Sequence, residues 1–368
     1  MGLFVFLPLV LPLTAWPVAR LAEQRLHPRT ATRLLTGVAA VMAVCSTVCL
    51  GLLMVVGTAQ LPGNPLPDAW SDPEVRAAVP HDEIAGRAAV PTLCVVAVVC
   101  ARTLWRHHRV RRRAHRALTG LPDTQVAVLP DAGAAYAYAL PGGRHGSSGG
   151  YGRIVVTSAL LDCLEPAERR ALFAHERAHL AARHHRHLLA VRLAAQANPF
   201  LWPLRTAVAY TAERWADEEA ARAVGSRRTV ARAIGKAALV SHGAAPLPGL
   251  AALVPPGAAP LPGLAALVPP DAAPPPGLAA LVPPDAAPPP GLAALAGLPA
   301  FAAPAPGPVP RRVTALLDPA PTPRHWASVF TTVGLAVWCA AAGTAVSAMS
   351  SANAAVTMLV ILHAATPL

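Results

Sequence analysis

Four apolar segments, at about Leu3–Ala19, Leu34–Ala59, Ile84–Ala101 and Trp326–Met349, constrain this chain more than any other feature. Each is long enough to cross roughly 30 Å of hydrocarbon as a helix. Composition agrees: 54% of residues are hydrophobic, 14% are charged and mean hydropathy is +0.43. That balance places part of the apolar surface against lipid. The first segment has no basic stretch before it and no small-residue cleavage site, so it reads as a retained span rather than a signal peptide.

Loop charges orient the array. Arg20, Arg25, Arg29 and Arg33 follow the first segment, and the tract "RHHRVRRRAHR" follows the third. The loop between the second and third carries Asp68, Asp72, Glu74, Asp82 and Glu83 against Arg76 and Arg87. The positive-inside rule then puts the N-terminus outside, residues from about 106 to 325 in the cytoplasm, and a multi-pass protein in the cell membrane. Directly after a span, the basic tract serves as a topology determinant that touches anionic lipid, and no direct nucleic-acid partner is expected. The six cysteines form no Cys-x-x-Cys pair, and all but Cys163 fall in apolar stretches, which speaks against a disulfide framework or a cysteine zinc knuckle.

The expected organisation has three spans in 1–105 with an external loop 60–83, then a cytoplasmic domain at 106–242. A Pro/Ala-rich insertion occupies 243–309, the domain resumes at 310–325, and a fourth span at 326–349 leads to a short external tail at 350–368. In that tail, Ala354–Leu362 is apolar but too short to span. Within the cytoplasmic domain, Val126–Leu129 and Ala134–Leu140 read as strands joined by the turn signal "PDAG", and "RIVVTSALL" reads as a third strand running into a turn. A helix should begin at Pro166, between Glu165 and Glu168, and end near the cations Arg183–His187. Leu188–Tyr210 is broken by Arg192, Pro199, Pro203 and Arg205, and suits a helical connection at the membrane surface. "TAERWADEEAARAVG" is a further helix that Gly225 can close. From Gly243 a 14-residue unit recurs four times, too short and Pro-rich to bury a face, which reads as a disordered or polyproline-like spacer.

The chemistry concentrates in "AHERAHL". His175-Glu176-x-x-His179 sets two imidazoles about 40° apart around a helix and ~6 Å apart along it. Both can reach one tetrahedral Zn²⁺, while Glu176 reaches a water on it and takes its proton as the water attacks a peptide carbonyl. The bland alternative is a solvated His/Glu helix face. A third protein ligand is needed. His185, ten residues after His175, lies ~15 Å further along an unbroken helix and out of reach. Glu213, in "ERWAD", is the better candidate, and Asp217, one turn later, can hold a ligand imidazole by its other ring nitrogen. His184, His185 and His187 read as a basic helix end near the membrane.

The strand pair, "GRIVVTSALLDCLEPAERRALFAHERAHL", "AERWADEEAARAVG" and "PRRVTALLD" together resemble the gluzincin-type integral membrane metallopeptidases. The order of spans is similar to the peptidase part of the beta-lactam-sensing penicillinase and methicillin-resistance regulators, and more distantly to the HtpX-type and CAAX-prenyl proteases. The resemblance implies a mostly α membrane protein of four transmembrane helices with a cytoplasmic α+β zincin-like domain and a small sheet. It also implies His175, His179 and Glu213 as zinc ligands and Glu176 as general base of a zinc metalloendopeptidase. Its substrate would be a cytoplasmic or membrane-proximal protein, a transcriptional repressor being one candidate. Beyond Zn²⁺ no cofactor is expected. The chain departs from those regulators in lacking a large sensor, or a Ser-x-x-Lys nucleophile, after the last span. Two rival readings remain: a quality-control membrane protease, and a non-catalytic membrane scaffold that retains the fold.

Overall fold

A computed structural model describes residues 7–59, 82–118, 124–130, 135–142, 152–243, 308–321 and 332–365. Most of the loop 60–83 expected to be external and nearly all of the repeat insertion 243–309 fall outside these residues, as does the "PDAG" turn from Asp131 onward.

Among the described residues the N-terminal segment is divided into three pieces. These are a four-residue helix α1 (Leu7–Val10), a 3-10 turn at Leu11–Thr14 and a helix α2 (Ala15–Arg25). Pro8, Pro12 and Pro17 each lack the N–H that a continuous ladder needs. Three helices among the described residues are long and apolar enough to cross a membrane, over Pro28–Val55, Ile84–Ala117 and Trp338–Ile361. They belong to α3 (Pro28–Ala59), α4 (Asp82–Ala117) and α11 (Thr332–Ala365); α5 to α10 are introduced below. Val44, Val98 and Leu359 on these helices are 62%, 66% and 69% exposed, so each presents large apolar side chains outward, as a membrane protein does. The last helix corrects the predicted boundary at Met349. It continues through Ala354–Leu362, so this patch belongs to the apolar window of α11 rather than to a tail.

The sheet has three short strands, β1 (Val126–Leu129), β2 (Ala137–Leu140) and β3 (Arg153–Thr157), in the order β1-β3-β2. The two strands flanking "PDAG" therefore do not pair. β3 lies between them, parallel to β1 and antiparallel to β2. Ile154, Val155 and Val156 are at most 1% exposed, a run apolar on both faces that needs a neighbour on either side. Among the described residues, β2 has no strand paired to its other edge.

After a short helix α5 (Ser158–Asp162), α6 (Pro166–Ala181) starts at Pro166. Its first turn is closed by a capping box in which the Glu165 N–H donates to Glu168 Oε2 at 2.9 Å. It ends at Ala181, where Arg183 takes a left-handed conformation with φ 54° and a new helix α7 (His184–Ala197) begins. His184–His187 thus open a helix rather than close one. A 3-10 turn at Pro199–Leu201 leads to α8 (Trp202–Val224), closed by Gly225 at φ 72°. α9 (Arg227–Gly243) and, beyond the insertion, α10 (Pro308–Leu317) complete the domain.

The Leu188–Tyr210 region is helical, as expected, and is packed against the N-terminal helices. Val191, Ala194, Leu201, Leu204, Ala207 and Val208 share one apolar core with Ala15, Ala19 and Ala22 of α2 and Leu35, Val38 and Met42 of α3. Buried polar contacts reinforce the joint: Thr32 Oγ1 donates to Thr211 Oγ1 at 3.0 Å, and Asn198 Nδ2 to Ser46 Oγ at 2.9 Å. The helix bearing Glu213 is therefore held against a candidate membrane span.

Candidate metal centre

The capping box fixes where α6 begins, and Lys236 of α9 holds Glu168 from outside at 2.8 Å. Three turns on, His175 and His179 emerge on the face that meets α8. Their Nε2 atoms lie 3.0 Å apart. Glu213 on α8 brings Oε2 to 3.5 Å from His175 Nε2 and Oε1 to 3.5 Å from His179 Nε2. These nitrogen and oxygen atoms lie within 4.8 Å of one another, close enough to hold a metal ion. A tetrahedral ion with bonds near 2.0–2.1 Å separates its ligand atoms by roughly 3.3 Å, so the donor set fits.

Asp217, one turn beyond Glu213, puts Oδ1 3.0 Å from His175 Nδ1 and is fully buried. Arg312 of α10 grips Asp217 with two bonds, Nε to Oδ2 at 2.9 Å and Nη2 to Oδ1 at 2.7 Å. Its Nη1 reaches Glu213 Oε2 at 3.0 Å. Burial would raise both carboxyls, but Arg312 and His175 overcome it, holding Glu213 at about 2 and Asp217 well below the usual carboxylate range. Burial pulls His175 down, yet its hydrogen bonds to Asp217 and Glu213 lift it to about 10. Burial dominates at His179 and draws it to about 4. The two imidazole nitrogens and the Glu213 carboxylate thus face one another in a small buried space.

Glu176 is buried on the neighbouring face of α6. Burial pushes its carboxyl up to about 7, offset in part by His175 and by the nearby backbone of Ala139. Since Ala139 lies in β2, the glutamate sits beside the strand that ends the sheet among the described residues.

The structure brings together His175, Glu176, His179, Glu213 and Asp217 in one place. His185 is elsewhere, facing Arg111 and His107 of α4. Two residues that the sequence did not place at the metal join the site. Arg312 lies in "PRRVTALLD", where only its return to folded sequence was legible. His184 is 1% exposed and puts its Nδ1 2.8 Å from His179 Nδ1. Its ring packs edge-on against Trp215, whose own ring lies 5.6 Å from the Arg29 guanidinium and 5.3 Å from that of Arg33. This separates His184 from the basic cluster to which sequence assigned it. The turn at Arg183, which no glycine announces, swings it back toward α6.

A buried His-His-Glu group with a second glutamate on the same helix is the donor arrangement of a metallopeptidase. The model of Peptidase family M48 matches residues 101–194, which supports a zincin-like metallopeptidase of that type. The match takes in the basic end of α4, the sheet, the motif helix and most of α7, and stops before Glu213. Compared with curated proteins and with solved structures, the chain has no match in either.

Proposed function

We propose that this chain is a membrane-embedded zinc metalloendopeptidase that hydrolyses peptide bonds of cytoplasmic or membrane-proximal proteins. The observation that carries the reading is the convergence of His175, His179 and Glu213 beside a buried glutamate next to β2, which ends the sheet among the described residues. In it, His175, His179 and Glu213 would hold the zinc. Asp217 fixes the His175 ring by its Nδ1 and is itself fixed by Arg312.

A zinc ion held there supplies Lewis-acid polarisation of the attacking water and of the scissile carbonyl. The substrate lies extended along β2, adding its backbone hydrogen bonds to the sheet edge. The proton of the attacking water passes to a Glu176 carboxylate oxygen and from there to the leaving amine. A carboxyl poised near neutrality suits both transfers.

The distribution of arginines supports an orientation with the N-terminus outside and the peptidase domain in the cytoplasm of a cell-membrane protein. A transcriptional repressor is the regulatory substrate that fits this placement and the likeness to the penicillinase regulators. The test is cleavage of an unfolded protein by the full chain in detergent, with Glu176→Gln and chelator-treated enzyme alongside. The reading expects zinc-restored cleavage and a loss of roughly 100- to 10,000-fold in Glu176→Gln. Equal cleavage by both proteins would end the peptidase mechanism.

A further inference from the structure

Away from the metal centre, α4 and α7 run antiparallel and present cations to one another. Cys100 Sγ lies 3.9 Å from the Leu193 carbonyl, which sets the register. From there, as α4 advances, α7 retreats: Arg106 stands near Arg192, and Arg111 near Arg186. His185 faces Arg111 and Arg186 together.

Arg106, Arg111, His185 and Arg192 are all half-buried, and no ion pair among the described residues involves any of them or Arg186. Arg111 is partly occupied, since its Nη2 donates to the carbonyls of Pro141 at 3.4 Å and Gly142 at 3.1 Å. Those bonds place the guanidinium but do not neutralise it. Burial and the charge of Arg111 hold the His185 imidazole at about 4, so the ring stays neutral. Half-buried cations held side by side without an acid repel one another unless an anion joins them. The helix α7 also has no acidic residue in its first turn, where its free N–H groups favour negative charge.

The level of this seam says which anion. It adjoins the basic end of α4, just past the apolar stretch. Trp105, Trp202 and Phe200 are 58%, 45% and 51% exposed around it, with Arg205 stacked on Trp202 at 4.4 Å. Exposed aromatics beside arginines mark the headgroup layer. We infer that the α4–α7 seam is a phosphate-binding site that seats the headgroup of an anionic phospholipid between Arg106, Arg111, Arg186 and Arg192. The inference rests on the membrane reading of α4 and is independent of the peptidase reading.

The test uses the full chain in zwitterionic detergent and follows its Tm. Three additions are compared: dihexanoyl phosphatidylglycerol, dihexanoyl phosphatidylcholine and inorganic phosphate. The altered seam is Arg186→Gln with Arg192→Gln, which leaves the topology-setting tract on α4 intact. A control of equal charge change is Arg170→Gln with Arg228→Gln, two exposed positions.

Phosphatidylglycerol should raise Tm for the wild type and the control, while phosphatidylcholine leaves both unchanged. In the altered seam the apparent affinity should fall roughly thirtyfold, about fivefold for each arginine near an anionic headgroup. Without lipid, the altered seam should melt no lower than wild type, because like charges have been removed. A shift by inorganic phosphate equal to that by phosphatidylglycerol would make the free ion the ligand of the same site. An equal shift by phosphatidylcholine, a seam variant that keeps the full phosphatidylglycerol response, or a control that loses it equally would overturn the site.

Discussion

His179 Nδ1 and His184 Nδ1 lie 2.8 Å apart, in a contact that only one of the two nitrogens can donate. If His179 gives its Nε2 lone pair to a metal, its Nδ1 carries the proton and His184 Nδ1 accepts it. His184 is suited to accept, because burial and the neighbouring His179 bring it down to about 2 and keep it neutral. Its ring is in turn clamped by Trp215.

His184→Phe keeps the packing on Trp215 but removes the acceptor. Metal affinity should fall roughly 10- to 100-fold, the usual effect of losing a partner that orients a ligand imidazole. His184→Asn, whose side-chain oxygen can accept in nearly the same place, should recover part of it. Competitive titration against a chromophoric chelator measures both.

Arg312 pairs with two buried carboxylates, Glu213 and Asp217, that otherwise face only the His175 imidazole for compensation. In metal-free protein, Arg312→Gln should destabilise by about 3–5 kcal/mol, since it removes the guanidinium from a buried pair of acids and leaves them to share His175 alone. A divalent metal would supply the missing charge, so the gain in denaturant midpoint on adding zinc should be larger for the variant than for the wild type. Urea unfolding with and without zinc reports it.

The motif helix and its start at Pro166 between two acids were legible, because spacing and first-turn chemistry decide them, while the capping box itself is seen only in the structure. The end of α8 was legible for the same reason, since Gly225 takes a conformation that few other residues tolerate. What the sequence hid was tertiary. The order of the sheet depended on β3 needing two neighbours, and local turn chemistry at "PDAG" cannot report that. The turn at Arg183 has no glycine or proline to mark it, so His184 was grouped with its charged neighbours. Arg312 lies 95 residues from its partner Asp217, across the whole insertion, and no local pattern links them. The first apolar segment showed enough hydropathy for a span, but its prolines divide the helix.

Stability toward acid should depend on Glu168. Burial would raise its carboxyl, but Lys236 and the Glu165 N–H hold it below the usual value. A depressed folded-state pKa gives stability that is complete above about pH 4.3, the unfolded value, and is lost as pH falls through the folded one. Glu168→Gln should therefore cost about 1–3 kcal/mol at pH 7, and progressively less as the pH falls below the unfolded value. Unfolding of both proteins across this range provides the comparison.

Gly57 of α3 and Gly86 of α4 touch backbone to backbone. A Cβ on Gly57 would come within 2.3 Å of the Gly86 carbonyl atoms. Small residues allow such a crossing between apolar helices. Gly57→Leu should force the pair apart and destabilise the detergent-solubilised protein by about 1–3 kcal/mol. Gly37→Leu, where the added atom meets nothing within 4 Å, should be better tolerated in the same thermal melts.

Zinc content is the most direct measure of the centre itself. Wild type, Glu176→Gln and Glu213→Gln should be loaded, passed through a desalting column and assayed by mass spectrometry of the metal. Wild type and Glu176→Gln should each retain one zinc per chain, and Glu213→Gln far less. Full retention by Glu213→Gln would contradict the metal centre described for α6 and α8.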